Sequence, residues 1–138
     1  MYLKSIYSFI PSETESNLEL KKKFNIDDEF IINKLGILNR SKLQSHLMAS
    51  DMCVEAYKRF KKKNKLDKID CIIVITQNPD YQIPHTSAIL QKKLGLNNDI
   101  ACFDISLGCS GYIYGLSILQ SFLRNNELNN GLLFTADP

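Results

Sequence analysis

The run Cys71-Ile72-Ile73-Val74-Ile75-Thr76 constrains this chain most. It is too short for a helix and is made of β-forming residues with no polar alternation, as expected of a strand covered on both faces in a parallel sheet. Two similar runs, Ala101-Cys102-Phe103-Asp104-Ile105-Ser106 and Gly131-Leu132-Leu133-Phe134-Thr135-Ala136-Asp137, follow it. Helical patterns lie between them: His85 to Gly95 closes on a glycine stop, and Tyr112 to Leu123 is apolar on nearly every side of a helical wheel. Strand and helix in alternation predict an α/β fold with a mainly parallel sheet. The all-round apolar pattern predicts that the helix after residue 111 is buried.

The residues before the long run are less decisive. Leu3 to Ile10 alternates loosely and stops at Pro11, which predicts a first strand. Asp27 to Ile37 predicts a helix with acidic residues in its first turn and Gly36 as its stop. Leu47 to Tyr57 predicts an amphipathic helix running into Lys58-Arg59-Phe60-Lys61-Lys62-Lys63. With 138 residues and 44% hydrophobic content, the length predicts a single globular unit. Seventeen basic against fifteen acidic residues, net +2, do not point to nucleic acid.

Four cysteines, at 53, 71, 102 and 109, form neither a CxxC pair nor a zinc-like cluster with His46 or His85. That predicts free thiols in a reducing compartment and no metal site. No leader-like pattern and no membrane-length apolar run is present, so the expected location is the cytoplasm.

Cys109 differs from the other three in its setting, Leu107-Gly108-Cys109-Ser110-Gly111, where a strand gives way to a helix. The thiolate is the reactive form of cysteine, and a helix N-terminus favours it through free N–H groups and the dipole. Gly108 and Gly111 permit a sharp turn with positive φ and close approach of a substrate, and the backbone N–H groups there suit a developing oxyanion. Cys109 is thus the candidate nucleophile. A free cysteine can equally pack as a small apolar group, and spacing alone leaves both readings open. Cys53, Cys71 and Cys102, inside apolar patterns, are read as packing residues. The loop Gln77 to Pro84 follows the central strand, where open α/β sheets tend to place binding residues.

Phe103-Asp104-Ile105 and Cys109-Ser110-Gly111-Tyr112-Ile113-Tyr114-Gly115-Leu116-Ser117 resemble the active-site segment of the thiolase-like condensing enzymes, specifically β-ketoacyl-acyl-carrier-protein synthase III. The resemblance covers nearly all of the chain. It implies a thiolase-like fold with a buried central helix, of which residues 1–138 are the incomplete N-terminal half. It also implies a cytoplasmic homodimer that joins an acyl thioester to malonyl-carrier-protein by decarboxylative Claisen condensation, through an acyl group on Cys109. No cofactor is implied beyond coenzyme A or acyl-carrier-protein thioesters as substrates. The family's second half supplies a His and an Asn, and neither His46 nor His85 sits in that context.

Two further segments carry the resemblance. Where the family usually reads Asp-Glu-Trp-Ile, two variable residues and Arg-Thr-Gly-Ile, this chain has Phe30 for Trp, Lys34 for Arg and Leu35 for Thr. Phe30 and Lys34 would then sit at the coenzyme A entrance and form a poorer planar clamp, which points to acyl groups on a carrier protein or to a specialised substrate. Ile83 takes the place of a residue that reaches into the acyl channel of the dimer partner. His85 is read as a helix-start residue. The alternative function is a catalytically inactive half-domain that binds a partner chain or an acyl carrier.

Overall fold

The computed structural model describes residues 2–66 and 68–138. In chain order its elements are β1 (Thr14–Ser16), α1 (Lys21–Phe24), a π-helix (Phe30–Leu35), β2 (Asn39–Ser41), α2 (Ala49–Lys63), β3 (Cys71–Ile75), α3 (Thr86–Lys93), β4 (Ala101–Ile105), α4 (Gly111–Asn125) and β5 (Gly131–Thr135). They fall into two compact units rather than the one that length predicts: residues 10–46, and residues 1–9 with 47–138.

The larger unit is built on β3. Its five residues are almost fully buried, and it pairs in parallel with β4 on one side and β5 on the other, in the order β4-β3-β5. Cys71 stands opposite Ala101 and Gly131, and Ile75 opposite Ile105 and Thr135. Alternate side chains of β3 enter opposite cores. Ile72 and Val74 pack with Ala49, Cys53, Tyr57 and Leu90 of α2 and α3. Cys71, Ile73 and Ile75 pack with Leu119 and Leu123 of α4. A strand buried on both faces can be apolar at every position, which is the pattern the sequence shows.

Helix α4 lies very close to the sheet. A Cβ on Gly115 would stand 2.4 Å from Ile75 Cδ1, and one on Gly111 2.5 Å from Ile75 Cγ2. The buried stripe is Gly111, Gly115, Leu119 and Leu123. The expected burial of this helix is met on that face only: Ile113 is 66% exposed and Tyr114 58%, because no further layer covers the other side within this unit.

Residues 3–10, expected as a first strand, run without a ladder partner among the described residues. They keep the period-2 alternation, with Ser5, Tyr7 and Phe9 half-buried, and are held by side chains instead. Tyr7 meets Phe60 edge-on at 5.9 Å, Asn64 donates to the Tyr7 hydroxyl at 2.9 Å, and Arg59 donates to the Ser8 carbonyl at 2.8 Å. Residues 2–9 and β5 line an apolar groove of about 500 Å³ floored by α2 and α4.

The smaller unit holds the β1–β2 antiparallel ladder, with Glu15 opposite Arg40, and the segment expected as a helix over residues 27–36. That segment is a π-helix. Asp27 Oδ1 accepts the Phe30 N–H at 2.7 Å at its start, and Gly36, with φ 65°, donates to the Ile31 carbonyl at its end. The left-handed conformation there is one that glycine adopts without strain.

Candidate active site

Three chain segments meet at the C-terminal end of the parallel sheet. β3 runs into Thr76 and Gln77, β4 runs into the turn that carries Cys109, and β5 runs into Ala136 and Asp137. Ile75, Gln77, Gly108, Cys109, Tyr112, Thr135 and Asp137 line a concave site of about 330 Å³. The groove beside residues 2–9 is larger but does not include Cys109.

The turn at Cys109 is short. Gly111 N donates to the Gly108 carbonyl at 2.8 Å, and Ser110 stands immediately before the first residue of α4. Gly108 and Gly111 do not adopt the positive φ expected of them, since the described glycines with positive φ are Gly36 and Gly95. Their role is absence of a side chain. A Cβ on Gly108 would lie 2.7 Å from Gln77 Oε1, as one on Gly111 would meet Ile75.

The four thiols differ in setting. Cys109 is exposed, Cys102 is half-buried, and Cys53 and Cys71 are buried. Burial pushes the Cys53 thiol up to about 12, with the charges of Asp80 and Asp104 adding to it. Burial, then the neighbouring Cys102 and Asp70, pushes Cys71 up to about 11. Cys102 is raised by burial and by Asp104. These three are held as neutral thiols, because a low-dielectric surrounding disfavours the anion.

Neither histidine joins Cys109. His85 Nε2 lies 3.1 Å from the Cys102 carbonyl oxygen, and its backbone occupies the position before α3, as a helix-start residue does. His46 is exposed and belongs to the smaller unit. Ile83 is 89% exposed on the loop after β3, with its side chain free of the core. In the smaller unit, Lys34 Nζ stands 5.9 Å from the centre of the Phe30 ring, so these two residues share one exposed face. Among the described residues, no group of three or more His, Cys, Asp and Glu gathers as metal ligands, and no helix is long and apolar enough to cross a membrane.

Two carboxylates assigned no role from sequence brace the sheet, Asp137 in the lining of the site and Asp104 outside it. Asp104 accepts the Thr86 and Ser87 N–H groups at 2.6 and 2.8 Å, joining β4 to the start of α3. Asp137 Oδ1 accepts the Gln77 N–H at 2.7 Å and the Thr76 hydroxyl at 3.1 Å, joining the end of β5 to the loop after β3. An acidic residue at the end of an apolar strand was the available signal in both cases.

No family model matches the chain. It is 39% identical over 132 residues to β-ketoacyl-[acyl-carrier-protein] synthase III of Caldanaerobacter subterraneus, covering 94% of this chain and 40% of that protein. Against the synthase III of Coxiella burnetii the identity is 35% over 143 residues, covering 98% and 43%. A crystal structure of a 3-oxoacyl-(acyl-carrier-protein) synthase III superposes with a TM-score of 0.87 and 32% identity, over 96% of this chain and 40% of that one. The chain thus spans about two fifths of the relatives it matches. Its resemblance to synthase III holds across nearly all of its residues, and its fold is thiolase-like, one partial half with a parallel sheet.

Proposed function

We propose that this stretch of synthase III-like sequence is the thiolase-like half-domain that carries the nucleophile of a condensing acyltransferase. The observation that carries the reading is Cys109, the exposed cysteine, standing at the head of α4 in the site where β3, β4 and β5 end. The Cys109 thiolate attacks the carbonyl carbon of an acyl thioester and expels the donor thiolate, leaving the acyl group on sulfur. A malonyl group on a carrier protein then loses CO₂. Its α-carbon attacks the acyl-cysteine carbonyl, and Cys109 departs as thiolate with the new carbon–carbon bond formed.

The backbone N–H of Cys109 has no protein acceptor among the described residues, which supports a role on the thioester oxygen. The family's His and Asn would stabilise the enolate oxygen. Phe30 and Lys34 would meet the adenine end of a coenzyme A donor, and Ile83 would reach the acyl channel of a second copy in a homodimer. Acyl carrier protein is the expected partner in the condensation.

The test is acyl capture by the protein that carries this chain, incubated with acyl thioesters and weighed intact. One acyl group should add to the wild type and none to Cys109→Ser. An adduct of undiminished amount on that variant, or one mapped to Cys102, overturns the assignment.

One observation favours a second reading, a half-domain that binds a partner chain or acyl carrier without turnover: the residues lining the Cys109 site include no histidine or asparagine. That reading predicts carrier binding with no acyl adduct.

A further inference from the structure

We infer that Gln77 selects the acyl group carried by Cys109, favouring chains that offer it a hydrogen-bonding oxygen over plain alkyl chains. The inference rests on the acyl-cysteine reading above. Gln77 leaves the end of β3 and lines the same concave site as Cys109. Its backbone is fixed: the N–H donates to Asp137 at 2.7 Å, and the next residue, Asn78, donates from its N–H to the Thr76 hydroxyl and from its amide to the Pro138 carbonyl, each at 3.0 Å. Its side chain lies against Gly108, where a Cβ would approach Oε1 to 2.7 Å and the amide carbon to 3.3 Å. Gly108 thus leaves the space that the Gln77 carboxamide fills, one residue from the nucleophile.

Among the described residues no protein group hydrogen-bonds that carboxamide. It is a donor and an acceptor held open at the reacting end of a site whose neighbouring wall includes Ile75 and Tyr112. An alkyl chain laid across it removes water from the amide and returns no hydrogen bond, whereas a hydroxyl on the chain restores one. Gln77 is exposed, so its amide is hydrated until an acyl chain covers it, and a chain that covers it without a hydrogen bond leaves it unpaired.

The experiment uses the protein that carries this chain and two probes, the N-acetylcysteamine thioesters of butyrate and 3-hydroxybutyrate. Initial rates of acyl addition to Cys109 are read by intact mass, and the two rates are compared as a ratio on the same sample. The ratio cancels any difference in the folded fraction between variants. Wild type should load the hydroxylated probe about tenfold faster, and Gln77→Leu, of similar size without the amide, should bring the ratio close to one by loading butyrate faster. Gln77→Asn, which keeps a shorter carboxamide, should retain part of the preference. An unchanged ratio in Gln77→Leu overturns the role of Gln77 and leaves the nucleophile standing. A wild type that loads neither probe overturns the acyl-cysteine reading, and the Gln77 assignment with it.

Discussion

At the scale of single residues, the four cysteines are sorted by their surroundings. At pH 8 a thiol raised to about 12, as in Cys53, or to about 11, as in Cys71, holds roughly one part in 10⁴ or 10³ as thiolate. Iodoacetamide at that pH should therefore label Cys109 first in the folded protein. Because the buried thiols are raised, labelling of Cys53 and Cys71 should grow only as pH climbs past the ordinary thiol range, or when denaturant is added. Peptide mapping of alkylated protein across pH 7 to 10 checks this, and Cys53 labelled as fast as Cys109 in native buffer would contradict it. The position of Cys109 was legible in sequence because glycines bracket it between strand and helix. The reason for those glycines was not: the sequence shows that Gly108 and Gly111 lack side chains, while the clash that excludes a Cβ comes from Gln77 and Ile75, some thirty residues earlier.

At the scale of elements, the parallel sheet was the readable part. β3 is apolar at every position because both faces are buried, and that doubling needs no partner to be recognised. Residues 3–10 misled for the opposite reason, since alternation marks a chain with one face inward whether or not a ladder forms, and here Phe60, Arg59 and Asn64 supply the contacts. The π-helix hid behind ordinary helix signals, because the Asp27 cap and the Gly36 stop are shared by both helix types. Helix α4 fits closely against β3. In Gly115→Ala the added methyl would sit 2.4 Å from Ile75 Cδ1 and 2.9 Å from Leu133 Cδ1, so the helix must lift or side chains must leave their rotamers. Overpacking of this kind costs about 1–3 kcal/mol. Urea titration should show that loss, and adding Ile75→Val, which removes the Cδ1, should recover part of it through coupling between contacting sites. Recovery of nothing would mean that Leu133, not Ile75, limits the fit.

At the scale of the whole molecule, the exposed apolar surface of the larger unit sets behaviour in solution. Among the described residues β5 pairs with β3 alone, and residues 129–136 line one groove with residues 2–9. Around it Tyr112, Ile113, Tyr114 and Ile118 of α4 are open to solvent. An unpaired strand edge next to a continuous apolar helix face is a surface on which further protein packs, and left open it drives association. That surface also explains why the sequence made α4 look buried on all sides: the helix is apolar all round, while the larger unit covers only the stripe of Gly111, Gly115, Leu119 and Leu123. The isolated chain should therefore bind the apolar dye anilinonaphthalene sulfonate and elute on size exclusion above the 15.8 kDa of a monomer. Ile113 and Ile118 lie on the exposed side of α4, so Ile113→Lys with Ile118→Lys should lower both signals without unfolding the sheet, whose core contacts come from Leu119 and Leu123. Helical content by circular dichroism serves as the control for folding. A monodisperse monomer that binds no dye would show that the outer face of α4 is satisfied within the chain, and the half-domain would then stand as a unit by itself.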